Sequence, residues 1–157
     1  MFRWFGHVGQ VNATRVAGFA QHLRDGRIMA SACTACGAHS FPPRADCARC
    51  MSGEFKFVEI KGDGRLFTYT RIAAAPSGFE HDTPYTLGVV ELESGGRALA
   101  WFGTSIPESD IHIGMAVQLV PRVDEEREEI HVEYRIERPG ATWTRAPRTA
   151  VPEGNTP

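Results

Sequence analysis

The chain has 157 residues, about one domain's length and enough to bury a core of its own. Apolar residues make up 42% of the sequence and charged residues 23%, as in globular proteins, and no apolar run reaches the length of a membrane-spanning helix. The net charge is −2 and the only lysines are Lys56 and Lys61, which argues against the basic stripe of a nucleic-acid-binding protein.

The N-terminal segment, residues 1–26, is predicted to be helical. An amphipathic helix is expected over residues 12–24, with Asn12 as its N-cap and Gly26 at its end. Four apolar residues recur at the spacing of one helix face: Val16, Phe19, Ala20 and Leu23. Three aromatic residues precede this helix and are expected either to pack on the domain or to dock on another subunit: Phe2, Trp4 and Phe5. The first ten residues do not resemble a secretory signal peptide, so we expect a cytoplasmic protein.

The next segment, residues 27–58, contains all the cysteines of the chain. They form two C-x2-C pairs separated by ten residues: Cys33, Cys36, Cys47 and Cys50. Four thiolates delivered as two close pairs suit one tetrahedral Zn²⁺, and Gly37 follows the first pair, where a tight turn often needs a positive φ. A complete shell of four thiolates leaves no open position for substrate, so this metal is expected to hold the fold.

Other uses of the cysteine pairs remain open at this point. A C-x2-C pair also serves as a redox dithiol, but such a motif usually follows a strand and opens a helix. Disulfides would need an oxidising compartment, and iron is an alternative metal in a rubredoxin-like site. His39 lies inside the same segment and is expected to be a loop residue, because four thiols are already available as ligands.

The third segment, residues 59–138, has an all-β pattern. A short helical turn is expected within residues 104–114, between the third and fourth strands. Five strands are predicted, over residues 65–72, 85–93, 97–103, 116–123 and 130–136. Five strands with a break after the third fit a small Greek-key barrel of the OB type, although an SH3-like barrel fits the same pattern. The remaining residues, 139–157, are rich in proline and predicted to be disordered, with Trp143 as an anchor on a partner.

No group of residues in the sequence suggests a catalytic site. The cysteines are assigned to the metal, the six histidines are scattered, and no nucleophile elbow, phosphate loop or dinucleotide-binding motif occurs. The chain is therefore not expected to catalyse a reaction alone.

Several segments of the chain resemble one known family. Residues 25–37 (DGRIMASACTACG) and residues 41–44 (FPPR), before the second cysteine pair, are similar to the rubredoxin-like zinc ribbon of the domain-of-unknown-function family thirty-five. Three segments of the barrel region add to the resemblance: residues 62–64 (GDG), 84–92 (PYTLGVVEL) and 113–115 (IGM). Together the matching segments span residues 12–138, so the resemblance covers most of the chain.

The resemblance implies a fold and a role. The fold is mainly β: an N-terminal helix, a zinc ribbon, and a five-stranded OB-fold barrel. Members of the family are accessory subunits of thiolase-superfamily enzymes in lipid and related metabolism, and they help to hold the pantetheine arm of an acyl-CoA. The resemblance therefore implies that the four cysteines bind Zn²⁺, that the partner is a thiolase-like subunit, and that this chain carries no catalytic residue.

One arginine is a candidate contact residue. Arg44 follows two prolines, which restrict the backbone, and a guanidinium in that position suits a CoA phosphate or a carboxylate of the partner.

Two competing hypotheses belong to other classes of protein. Zinc ribbons and OB folds also bind single-stranded nucleic acid, which here would stack on Tyr69, Trp101 and Phe102, but the barrel region is net acidic. A redox enzyme that uses the paired cysteines is the third hypothesis.

Overall fold

The computed structural model describes residues 14–74, 83–124 and 131–142. Its elements, in chain order, are α1 (Gly18–Arg24), β1 (Ile28–Cys33), β2 (His39–Ser40), β3 (Phe55–Ile60), β4 (Asp63–Ile72), β5 (Tyr85–Leu92), β6 (Arg97–Phe102), a 3₁₀ turn (Glu108–Asp110), β7 (Ala116–Asp124) and β8 (His131–Glu137). The described residues include no helix long and apolar enough to cross a membrane.

The helix is shorter than the sequence pattern predicts. Asn12, its expected N-cap, lies outside the described residues, and α1 begins only at Gly18 because the preceding residues form a turn with three-residue hydrogen bonds, such as Ala17 N–H to the Thr14 carbonyl at 3.0 Å. The predicted end is confirmed, since Gly26 has a φ of 76° and its N–H donates to the carbonyl of Leu23.

The ribbon is a three-stranded antiparallel sheet in the order β2-β1-β3. The central strand β1 pairs with β3 along its whole length, from Ile28 opposite Ile60 to Cys33 opposite Phe55, and all six of its residues are buried. Such a strand holds the first cysteine of the motif in a fixed position at its C-terminal end.

The other five strands form a closed barrel in the order β4-β5-β6-β8-β7. All its pairs are antiparallel except β6 with β8, where Trp101 lies opposite Arg135 in a parallel ladder. The five predicted strands are confirmed to within a few residues, and the 3₁₀ turn Glu108–Asp110 lies in the segment predicted to hold a short helical turn. The barrel is an OB fold, so the expected mainly-β architecture is confirmed.

Helix, ribbon and barrel share one hydrophobic core. Phe19 of α1 and Tyr134 of β8 meet edge to face, with ring centroids 6.3 Å apart, and Phe41 of the ribbon contacts both rings. The largest fully buried side chains come from the helix and the barrel: Leu23, Leu66, Val90, Val117, Leu119 and Ile136. This packing fixes the ribbon to the barrel and so determines the shape of the cleft between them.

Candidate metal centre and the adjoining cleft

The four cysteines converge at one end of the ribbon. Their Sγ atoms all lie within 4.8 Å of one another, and two pairs, Cys33 with Cys50 and Cys36 with Cys47, are 3.6 Å apart. A tetrahedron of sulfurs each about 2.3 Å from one ion has edges of about 3.8 Å. The spacing of the thiols therefore fits a single four-coordinate Zn²⁺.

Two turns with the same hydrogen bonds hold these thiols. In the first, Gly37 N–H donates to the carbonyl of Cys33 at 2.9 Å, and in the second, Met51 N–H donates to the carbonyl of Cys47 at 2.9 Å. Both turns need a left-handed residue after the second cysteine, with φ of 72° at Gly37 and 61° at Met51. The sequence predicts the first of these through its glycine and gives no sign of the second.

Backbone N–H groups favour the thiolate form of Cys47. The N–H groups of Arg49 and Cys50 hydrogen-bond to its Sγ, the former at 3.4 Å, and lower the pKa of this thiol to about 6. The pKa of Cys50 shifts the other way: the Ser52 N–H lowers it, but the thiols of Cys36 and Cys33 outweigh that effect and raise it to about 12. Hydrogen bonds of this kind between thiols keep the proton on Cys50, and a divalent cation bound among the sulfurs would displace it.

The burial and the identity of the four sulfur ligands also fit a structural zinc site. Cys33 and Cys47 are buried, Cys36 is half-buried and Cys50 is exposed, so the ribbon shields most of the centre from solvent. His39 was expected to be a loop residue, but it lies on β2, where it pairs with Ala32 of β1, and the cluster of thiols does not include it. The cysteines thus form a zinc-ribbon site of the structural type, with four sulfur ligands and no open position.

A cleft of about 470 Å³ separates the ribbon from the barrel. It is lined on the ribbon side by Ala30, His39, Ser40, Phe41, Arg44, Ala48 and Ile60, and on the barrel side by the β5–β6 turn, Ser94, Gly95 and Gly96. The candidate contact residue Arg44 therefore lies on a concave surface shared by both modules. Its backbone N–H donates to Oγ of the buried Ser31 at 3.0 Å.

One buried carboxylate escaped the sequence analysis. Glu137, at the end of β8, accepts hydrogen bonds from the N–H (2.9 Å) and the hydroxyl of Ser105. Gly103 leaves the space for it, because a Cβ there would lie 1.6 Å from Oε1 of Glu137. The bonds join β8 to the loop after β6, so this carboxylate has a structural role.

The three aromatic residues considered for base stacking lie in different environments. Trp101 stacks on Tyr85 with 4.2 Å between ring centroids and lies 4.7 Å below the guanidinium carbon of Arg135. Phe102 packs against the core, and Tyr69 is 41% exposed. These residues therefore do not form a shared stacking platform.

Fold and site together define a zinc-ribbon protein with an OB-fold barrel. Two family models match in succession, the ChsH2 rubredoxin-like zinc ribbon domain over residues 20–56 and the ChsH2 C-terminal OB-fold domain over residues 57–122. The chain belongs to the DUF35/ChsH2 family, as the resemblance of its motifs implies.

Relatives in two archaea are described as DUF35 domain-containing scaffold proteins. The protein of Methanocaldococcus jannaschii is 37% identical over 91 residues, 57% of this chain and 64% of the relative. The protein of Pyrococcus furiosus is 34% identical over 109 residues, 69% of this chain and 79% of the relative. The match to the first relative thus spans less than two thirds of its length.

Two further similar proteins are described by their complexes. The benzoylsuccinyl-CoA thiolase subunit BbsA of Thauera aromatica is 29% identical over 68 residues, 43% of this chain and 46% of the relative. A chain in a solved structure described as an Ltp2-ChsH2(DUF35) aldolase is 27% identical, with a TM-score of 0.65 over 82% of this chain and 98% of that one.

Proposed function

We propose that this chain is a non-catalytic accessory subunit that docks onto a thiolase-like enzyme in the cytoplasm and helps to bind its acyl-CoA substrate. The observation that carries the proposal is the structural match to the chain of the Ltp2-ChsH2(DUF35) aldolase, which extends over 98% of that chain. The thiolase subunit among the relatives supports the same class of partner, and the scaffold proteins support an accessory role. In this proposal the partner supplies the catalytic groups.

The outer surface of β5 and β6 is the proposed docking face. Leu87 and Val89 on β5 and Leu99 on β6 point away from the core, and Val89 lies opposite Leu99 in the ladder. Outward positions of an antiparallel barrel are usually polar, yet Leu99 is 61% exposed. An apolar surface of this kind suits burial against another subunit.

Charges at one end of this face favour a partner with acidic groups. The next rung carries Arg97 on β6, Glu91 on β5 and Arg65 on the neighbouring strand β4, which lie opposite one another in register. Glu91 is paired with Arg97 at 3.1 Å, whereas Arg65 donates to the carbonyl of Gly114 and forms no ion pair with a described residue. The thiolase-like subunit is therefore expected to present apolar side chains with a carboxylate at the edge.

The docking proposal is tested by co-expression with a thiolase-like protein from the same genome. Wild-type chain should co-elute with the partner in size-exclusion chromatography, and Leu99→Asp should weaken the complex at least tenfold. Ile113→Asp is the matched control, because Ile113 is also exposed (64%) but lies beside β4 on the side away from β5. No complex with wild-type chain, or equal loss with both variants, would contradict the proposed docking face.

A further inference from the structure

The cleft between ribbon and barrel contains cationic and neutral polar groups without acidic ones. Among its lining residues, Arg44 and His39 are the ionisable side chains, and none is an aspartate or glutamate. Apolar side chains of Ala30, Phe41 and Ile60 complete the ribbon wall. A concave surface of this composition suits an anionic group attached to a less polar body.

The guanidinium of Arg44 is available to a ligand. It forms no hydrogen bond or ion pair with any residue that the structure describes, and the side chain is exposed. The carboxylate nearest in sequence, Asp46, is paired with Arg15 at 3.2 Å. Arg15 also donates to the carbonyl of Ala45 at 2.8 Å, so the helical segment neutralises Asp46 and leaves the charge of Arg44 uncompensated.

Ser31 holds the backbone that carries Arg44. It is 4% exposed and is the one hydroxyl residue in β1, a strand that is otherwise apolar apart from its terminal cysteine. Burying a hydroxyl costs free energy unless it is hydrogen-bonded, and here its Oγ accepts the N–H of Arg44 at 3.0 Å. The bond joins the most rigid strand of the ribbon to the segment that reaches the cleft.

The opposite wall is made of glycine backbone. Gly95 and Gly96 have φ values of 90° and 87°, and a Cβ on Gly96 would lie 4.0 Å from the carbonyl oxygen of Phe41. The barrel therefore approaches the ribbon closely at this point. The N–H of Gly95 donates to the carbonyl of Leu92 at 2.9 Å, so this wall contributes open space and Arg44 on the ribbon side supplies the positive charge.

We infer that this cleft is a phosphate-binding site in which Arg44 contacts the anion and Ser31 is a positioning residue for Arg44. The ligand class is an organic phosphate or diphosphate. The inference rests on the proposed function, in which the phosphate belongs to the nucleotide half of coenzyme A.

Calorimetric titration of the full-length chain, alone and with its partner, tests the inference. The probes are CoA, dephospho-CoA, which lacks the 3′-phosphate, and pantetheine, which lacks every phosphate. Arg44→Ala should weaken CoA binding by about ten- to a hundredfold, as expected for a lost hydrogen bond to a charged group, and leave pantetheine binding unchanged. Dephospho-CoA then shows whether Arg44 meets the 3′-phosphate or the diphosphate.

The positioning role of Ser31 has a separate readout. Ser31→Ala should lower the ratio of CoA affinity to pantetheine affinity several-fold while the zinc content stays at one per chain. A merely structural defect would lower both affinities alike. Arg49→Ala is the matched control for Arg44→Ala and should leave CoA binding unchanged, because Arg49 is an exposed arginine of the second zinc turn that does not line the cleft.

The outcomes separate this inference from the docking proposal. Failure of the wild-type chain to bind CoA, or unchanged CoA binding by Arg44→Ala, would overturn the phosphate site. Loss of complex assembly in Arg44→Ala with CoA affinity intact would also overturn it, since Arg44 would then contact the partner. Arg44-dependent CoA binding without any complex would uphold the site and refute the accessory role.

Discussion

Phe41 in the ribbon and Tyr134 in the barrel are in ring contact, with centroids 5.5 Å apart, and Phe19 of the helix packs edge-on against both. One aromatic cluster thus connects three segments that are separate in sequence. The cleft and the metal centre both adjoin the ribbon, so this cluster determines where they lie relative to the barrel. Its contribution to the free energy of unfolding can be measured by substitution.

Truncation of Phe41 should destabilise the protein. Phe41→Ala removes contacts with two rings in the core, and we expect the free energy of unfolding to fall by about 2–4 kcal/mol. Phe67→Ala is the control: Phe67 is 46% exposed on the barrel surface, so its loss should cost less than about 1 kcal/mol. Urea unfolding of both variants makes the comparison, and equal losses would show that the cluster is not central to the core.

The phenol of Tyr134 should ionise at a higher pH than an ordinary tyrosine. Burial of its phenol disfavours the phenolate and raises its pKa from 10.0 to about 12. Well below pH 10 the group is neutral in both the folded and the unfolded chain, so it contributes nothing to the pH dependence of stability there. Between pH 10 and about 12 the unfolded chain ionises first, and stability should fall by up to about 1.4 kcal/mol per pH unit.

Phenolate absorbance measures this directly. Tyr134 should titrate in a late phase near pH 12, and Tyr134→Phe should remove that phase. A late phase that persists in the variant would mean that Tyr134 is not the buried phenol.

The metal centre should hold one zinc ion per chain. Metal analysis of purified protein tests this, and iron in its place would give visible absorbance. Cys47→Ser removes a ligand from the buried part of the centre and should abolish stoichiometric zinc binding, with a fall in melting temperature of about 10 °C or more. His39→Ala should retain the metal, because His39 lies outside the cluster of thiols. Metal-free protein with an unchanged melting temperature would refute a structural role.

The cysteine spacing predicted the metal centre because its ligands come from two turns that are each local in sequence. The barrel strands were predictable because the alternation of apolar residues within a strand is also a local pattern. The cleft was not predictable, since Gly96 and Arg44 come to line the same surface only after ribbon and barrel pack together. The bond from Arg44 to Ser31 is equally non-local. The start of α1 was missed because helical periodicity in Val16 does not reveal that the chain there forms a tighter turn.

The left-handed conformation of Met51 gives a final prediction. A side chain in this region costs about 1–2 kcal/mol, and the exposed Met51 (78%) makes few compensating contacts. Met51→Gly should therefore raise stability by up to about 1 kcal/mol, after the higher entropy of glycine in the unfolded chain is subtracted. Gly37→Met, at the equivalent position of the first turn, should lower stability by about 1–2 kcal/mol, although a Cβ there would meet open space.

Thermal unfolding of the zinc-loaded variants compares the two turns. Opposite shifts for Met51→Gly and Gly37→Met would mean that backbone conformation alone sets the preference at these positions. Destabilisation by Met51→Gly would instead mean that the methionine side chain makes contacts that outweigh its strain, which its exposure in the isolated chain does not account for. The same pair of variants measured in the complex would then show separately whether Met51 contacts the partner.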